Sequence, residues 1–206
     1  TTFSADLWEH SASHLVESFQ ATRTEGRLVA FVEGMDMPTG MNIEAHRIDG
    51  DPTLKAFLAT HSDVIPEALG GTLTSPECRC SDREKDVHSK HHRLPCPGYW
   101  FCKNAYRWLR KPLAAQKACG LYPGEYDILM WVDSDAVFLQ QNTAKVVAGW
   151  FQDKAACIYL KNKRTAIETG VFGYHLRRGG HLIADKVVGR YTSGRVRKDP
   201  RSDGCV

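Results

Sequence analysis

The sequence has no long hydrophobic run. No stretch approaches the ~20 consecutive apolar residues that a membrane-spanning helix needs, and no secretory signal peptide is visible near its start. We therefore expect a cytoplasmic protein without a membrane span. The 206 residues are 42% hydrophobic and 25% charged, which is typical of a globular domain. This length suits one domain, residues 1–206, which is large enough to bury a sizeable hydrophobic core.

The seven cysteines include no CxxC pair, the arrangement that is typical of structural zinc sites. Four of them nevertheless fall, with three histidines, in a segment at about 74–102 that we interpret as an insertion: Cys78, Cys80, His88, His91, His92, Cys96 and Cys102. So many thiolates and imidazoles could bind a structural Zn²⁺ ion, although the spacing matches no common zinc pattern. One or two disulfides, or an insertion without any ligand, remain the alternatives.

The chain has no strong excess of positive or negative charge except near its end. The net charge is only +3, but residues 176–201 carry eight basic and two acidic side chains. A basic segment favours an anionic partner, such as a nucleotide diphosphate or a charged acceptor. The segment lacks the interleaved aromatic residues of single-strand nucleic-acid binders, apart from Tyr191, and this argues against nucleic acid. A solvated surface helix and tail would explain the same charges.

Apolar runs and helical patterns alternate along the chain. Residues 1–4 and 28–32 read as strands around a helical pattern at 7–19, which predicts a βαβ unit. Helices are predicted at 113–119, 143–151 and 181–191, and further strands at 128–132 and 155–160. This order predicts an α/β protein with three layers, α/β/α, and a mostly parallel central sheet.

The strand predicted at 128–132 ends on Asp133-Ser134-Asp135. Five apolar residues in a row indicate a strand covered on both faces, as in the middle of a parallel sheet. Ligands of open α/β sheets gather at the carboxyl ends of strands. Two carboxylates with room for water and phosphate oxygens describe a Mg²⁺ or Mn²⁺ site. The alternative is a turn without a ligand, because Asp and Ser side chains accept hydrogen bonds from nearby backbone amides.

Two further groups of residues are candidates for chemistry. From Tyr99 the pattern is helical, with a kink or new start at Pro112. Arg107 and Lys111 are four residues apart there, so they share one face and could neutralise a diphosphate, or form a solvated basic face. Glu168 lies among small and apolar residues before Gly170. It could take a proton from an attacking hydroxyl, bind a sugar, or cap a turn.

Taken together, these features resemble a GT-A glycosyltransferase. The strand and Asp133-Ser134-Asp135 resemble the LIWLDADV run of small bacterial and viral members, and residues 167–176 resemble their ETGFxGF segment. Residues 191–194 have a counterpart near the C-terminus of those proteins. The resemblance covers most of residues 99–204 and, more loosely, the first 34. The Cys/His-rich insertion has no counterpart, and Asp203 stands where relatives often place a His-Asp-Ser.

The resemblance implies a three-layer GT-A (nucleotide-diphospho-sugar transferase) fold and transfer of a sugar from a UDP- or GDP-linked donor to a hydroxyl, such as that of a glycan. It implies that Mn²⁺ or Mg²⁺ bridges Asp135, and Asp133 with it, to the diphosphate, with Asp203 as the candidate third ligand. Further contacts to the nucleotide are implied for five residues: Thr2, Phe3, Glu33, Arg107 and Lys111. Glu168 would be the base of an inverting enzyme, ahead of Asp203 and His175, or would orient the acceptor in a retaining one.

Two other functions compete with this prediction. Asp133-Ser134-Asp135-Ala136-Val137 also fits the nucleophile motif of haloacid-dehalogenase-like phosphatases. That motif normally opens its domain and precedes an acidic pair, whereas only 71 residues follow Asp135 and none form an Asp-Asp pair. The other alternative is a zinc-stabilised binding module built on residues 78–102.

Overall fold

The computed structural model of the protein describes residues 1–37, 40, 42–60, 108–160 and 167–193. The Cys/His-rich segment, Arg107 and Asp203 lie outside these residues. Among the described residues, no helix combines the length and the apolar character needed to cross a membrane.

The amino-terminal part folds as predicted, into a parallel sheet with a helical crossover. Its strands are β1 (Thr2–Ser4), β2 (Leu28–Glu33) and β3 (Ile43–Arg47), in the spatial order β1-β2-β3. The crossover consists of α1 (Ala5–Leu7), a π-helical segment (Trp8–Ala12) and α2 (Ser13–Ala21). Its apolar face buries Leu15, Val16 and Phe19, and Val16 and Phe19 share a core with Phe3 and Val32.

The carboxyl-terminal part forms a second sheet, and here the prediction of a mostly parallel sheet is wrong. The strands β4 (Ile128–Val132), β5 (Ala156–Leu160) and β6 (Ile167–His175) lie in the order β4-β6-β5, and both pairings are antiparallel. Only residues 161–166 connect β5 to β6, and a parallel pairing needs a crossover of a dozen residues or more. The structure is thus a mixed α/β arrangement with one parallel and one antiparallel sheet.

Strand β4 has the predicted boundaries but not the predicted surroundings. It is an edge strand of its sheet among the described strands, and only Trp131 is buried. The other four residues are partly exposed and line a groove between the two sheets. An apolar run predicts that a strand is buried, but it does not show which element, if any, covers each of its faces.

Four more α-helices and a short 3₁₀ helix (Leu176–Arg178) complete the described fold. The α-helices are α3 (Pro52–Thr60), α4 (Arg110–Leu121), α5 (Ala144–Phe151) and α6 (Gly180–Thr192). Helix α4 buries Pro112, Leu113, Ala114 and Ala115. Pro112 is tolerated because it lies in the first turn, where no intrahelical N–H bond is lost. One core cluster joins β2, α4, β4 and α6 through Phe31, Leu113, Trp131 and Ala184.

Gly180, the first residue of α6, holds that helix close to the second sheet. A Cβ atom at this position would lie 2.7 Å from Ala155 O and 2.8 Å from His175 N. Both are backbone atoms, so the clash cannot be relieved by a side-chain rotation. Gly189, in the same helix, has nothing within 4 Å of such an atom.

We therefore expect Gly180→Ala and Gly189→Ala to have opposite effects. Gly180→Ala should lower the free energy of unfolding by about 1–3 kcal/mol, through overpacking. Gly189→Ala should raise it by about 0.5–1 kcal/mol, because alanine is the better helix former. Urea unfolding of both variants measures the difference, and equal effects would contradict the packing described for α6.

Candidate functional site

The candidate site lies where the carboxyl end of β4 meets the beginning of β6. Val132 pairs with Val171, and the next amide, that of Asp133, donates to Gly170 O over 2.8 Å. The antiparallel pairing therefore places Asp133-Ser134-Asp135 beside Glu168-Thr169-Gly170. These two segments are 33 residues apart in the chain, and they adjoin because β6 runs back along β4.

The Asp133 carboxylate is held by two donor groups, which make three contacts with it. Lys111 Nζ lies 2.7 Å from Asp133 Oδ1 and 2.9 Å from Oδ2, and Trp131 Nε1 donates to Oδ1 over 2.6 Å. Lys111 Nζ also donates to Thr169 O over 3.0 Å. The Lys111 and Asp133 side chains are 25% and 30% exposed, so the pair is only partly screened by water. An ammonium group thus occupies one side of this carboxylate, where it would compete with a metal ion.

Arg110, the neighbour of Lys111 in the first turn of α4, binds the acid at the end of β2. Its guanidinium contacts both oxygens of Glu33 in a forked arrangement, with Arg110 Nη2 3.0 Å from Oε1. The third nitrogen, Nη1, is buried and has no hydrogen-bond partner among the described residues. A buried donor without a partner is costly.

Asp135 differs from Asp133 in being exposed and in having no partner among the described residues. The chain turns directly after β4, where Ala136 N–H donates to Asp133 O over 3.1 Å. Within the described residues, the Asp135 carboxylate makes no hydrogen bond or ion pair. Among the described acidic side chains at this edge, it is the one without a described positive side chain beside it.

The side chains at this edge suit a metal ion that a bound ligand also coordinates better than a metal ion coordinated by protein side chains alone. No group of three His, Cys, Asp or Glu residues that could hold an ion occurs in the described part of the chain. Mg²⁺ is commonly bound by one or two carboxylates together with water and substrate phosphates. Asp135 suits that role, whereas Asp133 is engaged by Lys111.

The first strand brings its amino end to the same place. The amine of Thr1 is buried, and burial lowers its pKa to about 5, with the charge of Asp133 opposing this shift and that of Lys111 adding to it. The Phe3 ring is only 2% exposed and packs on Trp8, with 5.7 Å between ring centroids. The Thr2 hydroxyl donates to Phe31 O over 2.7 Å. Contact of Thr2 and Phe3 with a base stays a prediction.

The structure describes the remaining predicted site residues only in part. Glu168 lies in β6 opposite Tyr159, and its side chain is outside the described part of the chain, as are Arg107 and Asp203 altogether. His175 pairs with Ile128 at the amino end of β4. It therefore lies at the opposite end of the strand from Asp133.

Sequence reasoning missed the contacts that Trp131 and Arg110 make. The indole N–H of Trp131 reaches Asp133 because alternate residues of a strand point to the same face. That spacing is visible in the sequence, and so are an acid at a strand end, Glu33, and a base on a predicted helix, Arg110. Neither signal states that the elements meet in space.

Comparison of the chain with family models, with curated proteins and with solved structures finds no match. Function has to be inferred from the side chains at the carboxyl ends of β2 and β4.

The partly buried Lys111–Asp133 pair should be coupled in a double-mutant cycle. We expect Lys111→Met and Asp133→Asn to show a coupling energy of about 1–2 kcal/mol in urea unfolding, because either change leaves the other group without its partner. The matched control is Lys154→Met with Asp153→Asn, a pair of side chains 69% and 76% exposed. For this control we expect less than about 0.5 kcal/mol. Equal coupling in the two cycles would contradict the geometry described for Asp133.

Proposed function

We propose that the protein is a metal-dependent glycosyltransferase of the GT-A type, which moves a sugar from a UDP- or GDP-linked donor to a hydroxyl acceptor. The observation that carries the proposal is the meeting of Asp133-Ser134-Asp135 with Glu168-Thr169-Gly170 through the bond from Asp133 N–H to Gly170 O. These are the two segments on which the resemblance to GT-A enzymes depends. Their proximity is what a shared donor and acceptor site requires.

Asp135 is the residue that we propose to hold the cation. Its carboxylate is exposed and has no partner among the described residues, while Asp133 is engaged by Lys111 and Trp131. Bound Mn²⁺ or Mg²⁺ would offset the negative charge that develops on the departing diphosphate. Asp133 then acts as a positioning residue, because it fixes Lys111 at the end of β4.

The first turn of α4 supplies the positive charge that a diphosphate would meet. Arg110 and Lys111 lie at the amino end of a 12-residue helix, where the helix dipole also favours anions. These features support binding of the anionic part of a nucleotide-sugar.

Glu168 is the residue that we propose to act on the acceptor. Its backbone belongs to β6, two residues before Gly170, at the end of the sheet where Asp133 lies. A carboxylate there could take the proton from the attacking hydroxyl if the reaction inverts the anomeric carbon. If the reaction retains configuration, it would instead orient the acceptor.

The phosphatase alternative would use Asp133 as the nucleophile. The Lys111–Asp133 pair does not exclude that chemistry, but both carboxylate oxygens already accept N–H donors. Phosphate release from a simple phosphate ester, in the absence of any nucleotide-sugar, would favour the phosphatase. The described residues carry nothing that favours a zinc-stabilised module.

Thermal unfolding with nucleotides tests the proposal. We expect UDP or GDP to raise Tm by roughly 5–10 °C at saturating concentration in the presence of Mn²⁺, since ligand at 100 times its Kd adds about 2.7 kcal/mol to stability. Chelating the metal should remove most of the shift. Asp135→Asn should remove it as well, without lowering the Tm of the free protein.

The matched control is Asp153→Asn, which alters an exposed carboxylate paired with its neighbour Lys154. This variant should keep the full nucleotide-dependent shift. A shift that survives both chelation and Asp135→Asn would contradict the metal role of Asp135. The absence of any shift with nucleoside diphosphates would overturn the proposed function.

A further inference from the structure

Lys111 lies between the two segments that meet at the candidate site. Its Nζ atom is 2.7 Å from Asp133 Oδ1, and it donates to Asp133 Oδ2 over 2.9 Å. On the other side it donates to Thr169 O over 3.0 Å and to Thr169 Oγ1 over 3.4 Å. The Trp131 ring lies close as well, with its centroid 5.7 Å from Nζ. An ammonium group has three N–H donors, so Lys111 takes the place beside Asp133 that a bound cation would take.

This contact leaves the free protein with a poor site for a cation alone. Asp133 is neutralised by Lys111, and among the described side chains at this edge Asp135 is the acid without a positive partner. One exposed carboxylate is a weak site for Mg²⁺ or Mn²⁺, because such sites usually combine carboxylates with substrate phosphates and water. The ammonium also repels a cation that approaches Asp133. Tight metal binding therefore requires the phosphates of a ligand or the departure of Lys111.

The charges of the site favour two ligands that bind together. At neutral pH the side chains of Lys111, Asp133 and Asp135 sum to one negative charge. A divalent cation and the diphosphate of a nucleotide-sugar together add no net charge to this sum, whereas either one alone changes it by two charges. The paired ligands thus meet the smaller electrostatic cost.

The Lys111 side chain can leave Asp133 without releasing the carboxylate from its position. Nζ is carried on a flexible four-carbon stem, and the side chain is 25% exposed, so it can turn towards a ligand. Trp131 Nε1 donates to Asp133 Oδ1 over 2.6 Å, and this bond does not involve Lys111. The carboxylate is therefore still oriented after the ammonium has turned away.

We propose that Lys111 is an internal counter-ion that makes metal binding depend on the nucleotide. In the free protein it neutralises Asp133, and when a nucleoside diphosphate and a divalent cation bind together it exchanges Asp133 for a phosphate oxygen. This inference rests on the proposed function, since it needs a nucleotide at the end of β4. Each ligand then raises the affinity for the other by the same factor, which we expect to be at least about tenfold.

Binding of Mn²⁺ alone to Lys111→Met tests the role of the ammonium. The variant frees Asp133 and removes a positive charge, so without nucleotide we expect it to bind Mn²⁺ at least about tenfold more tightly than the unchanged protein does. Its affinity for UDP or GDP should fall, because the contact of Lys111 with a phosphate is lost. Electron paramagnetic resonance of free Mn²⁺ measures the first effect, and titration calorimetry measures the second. Loss of a residue that only stabilises the fold would not raise the affinity for a metal.

Three further variants serve as controls. Lys111→Arg keeps the positive charge and should bind Mn²⁺ alone as weakly as the unchanged protein. Lys154→Met removes a positive charge from an exposed pair with Asp153, and it should also leave the weak binding unchanged. Adding Asp133→Asn to Lys111→Met should abolish the gain in affinity, because Asp133 is the ligand that the first substitution frees.

The unchanged protein provides a second measurement that does not depend on the folding of a variant. The Cε signal of Lys111 in carbon NMR spectra should shift when Mg²⁺ is added together with UDP or GDP. Mg²⁺ alone, at the same concentration, should leave this signal where it is. An equal shift with Mg²⁺ alone would overturn the proposal.

Equal affinities of the unchanged protein and Lys111→Met for Mn²⁺ alone would also overturn the proposal, whether or not a nucleotide binds. Failure of the proposed function has a different signature. In that case neither protein binds UDP or GDP, while Lys111→Met still binds Mn²⁺ more tightly than the unchanged protein. That result would support the neutralisation of Asp133 by Lys111 and overturn its coupling to a nucleotide.

Discussion

Two neighbouring cations on one helix hold the candidate site together. Arg110 binds Glu33 at the end of β2, and Lys111 binds Asp133 at the end of β4. Successive residues of a helix point about 100° apart, so the first turn of α4 can reach acids on both sheets. The carboxyl ends of two strands that do not pair with each other are thereby kept side by side.

These two ion pairs determine which acidic side chain of the site is free to bind a ligand. Glu33 and Asp133 are neutralised by the protein itself, and Trp131 fixes the orientation of Asp133 further. Asp135, one turn beyond, has no positive partner among the described residues. Partly buried ion pairs add little net stability, since desolvation offsets much of their attraction. Their value is geometric, because among the described side chains they leave the Asp135 carboxylate exposed near the backbone of Thr169 and Gly170.

The sequence allowed the local structure to be predicted, but not how the elements pair. The apolar run from Ile128 gave the limits of β4 correctly, and the helix predicted at 143–151 is α5, which begins at Ala144 and is capped by Thr143. The antiparallel direction of β6 was missed because the side-chain pattern of a strand does not depend on the direction in which the strand pairs. Basic residues at the start of helix α4 were expected to neutralise a diphosphate. The contact of Arg110 with Glu33 was not expected, because it joins residues 77 apart, which no local pattern encodes.

The central claim, that Asp135 and the segment at Thr169 and Gly170 share one cation-dependent nucleotide site, can be tested by paramagnetic broadening in amide NMR spectra. Mn²⁺ added with UDP or GDP should broaden the signals of Asp135, Thr169 and Gly170 first. The signal of Gly189, in the middle of α6, should remain sharp, and Asp135→Asn should abolish the selective broadening. Uniform broadening, or broadening centred elsewhere, would contradict the account.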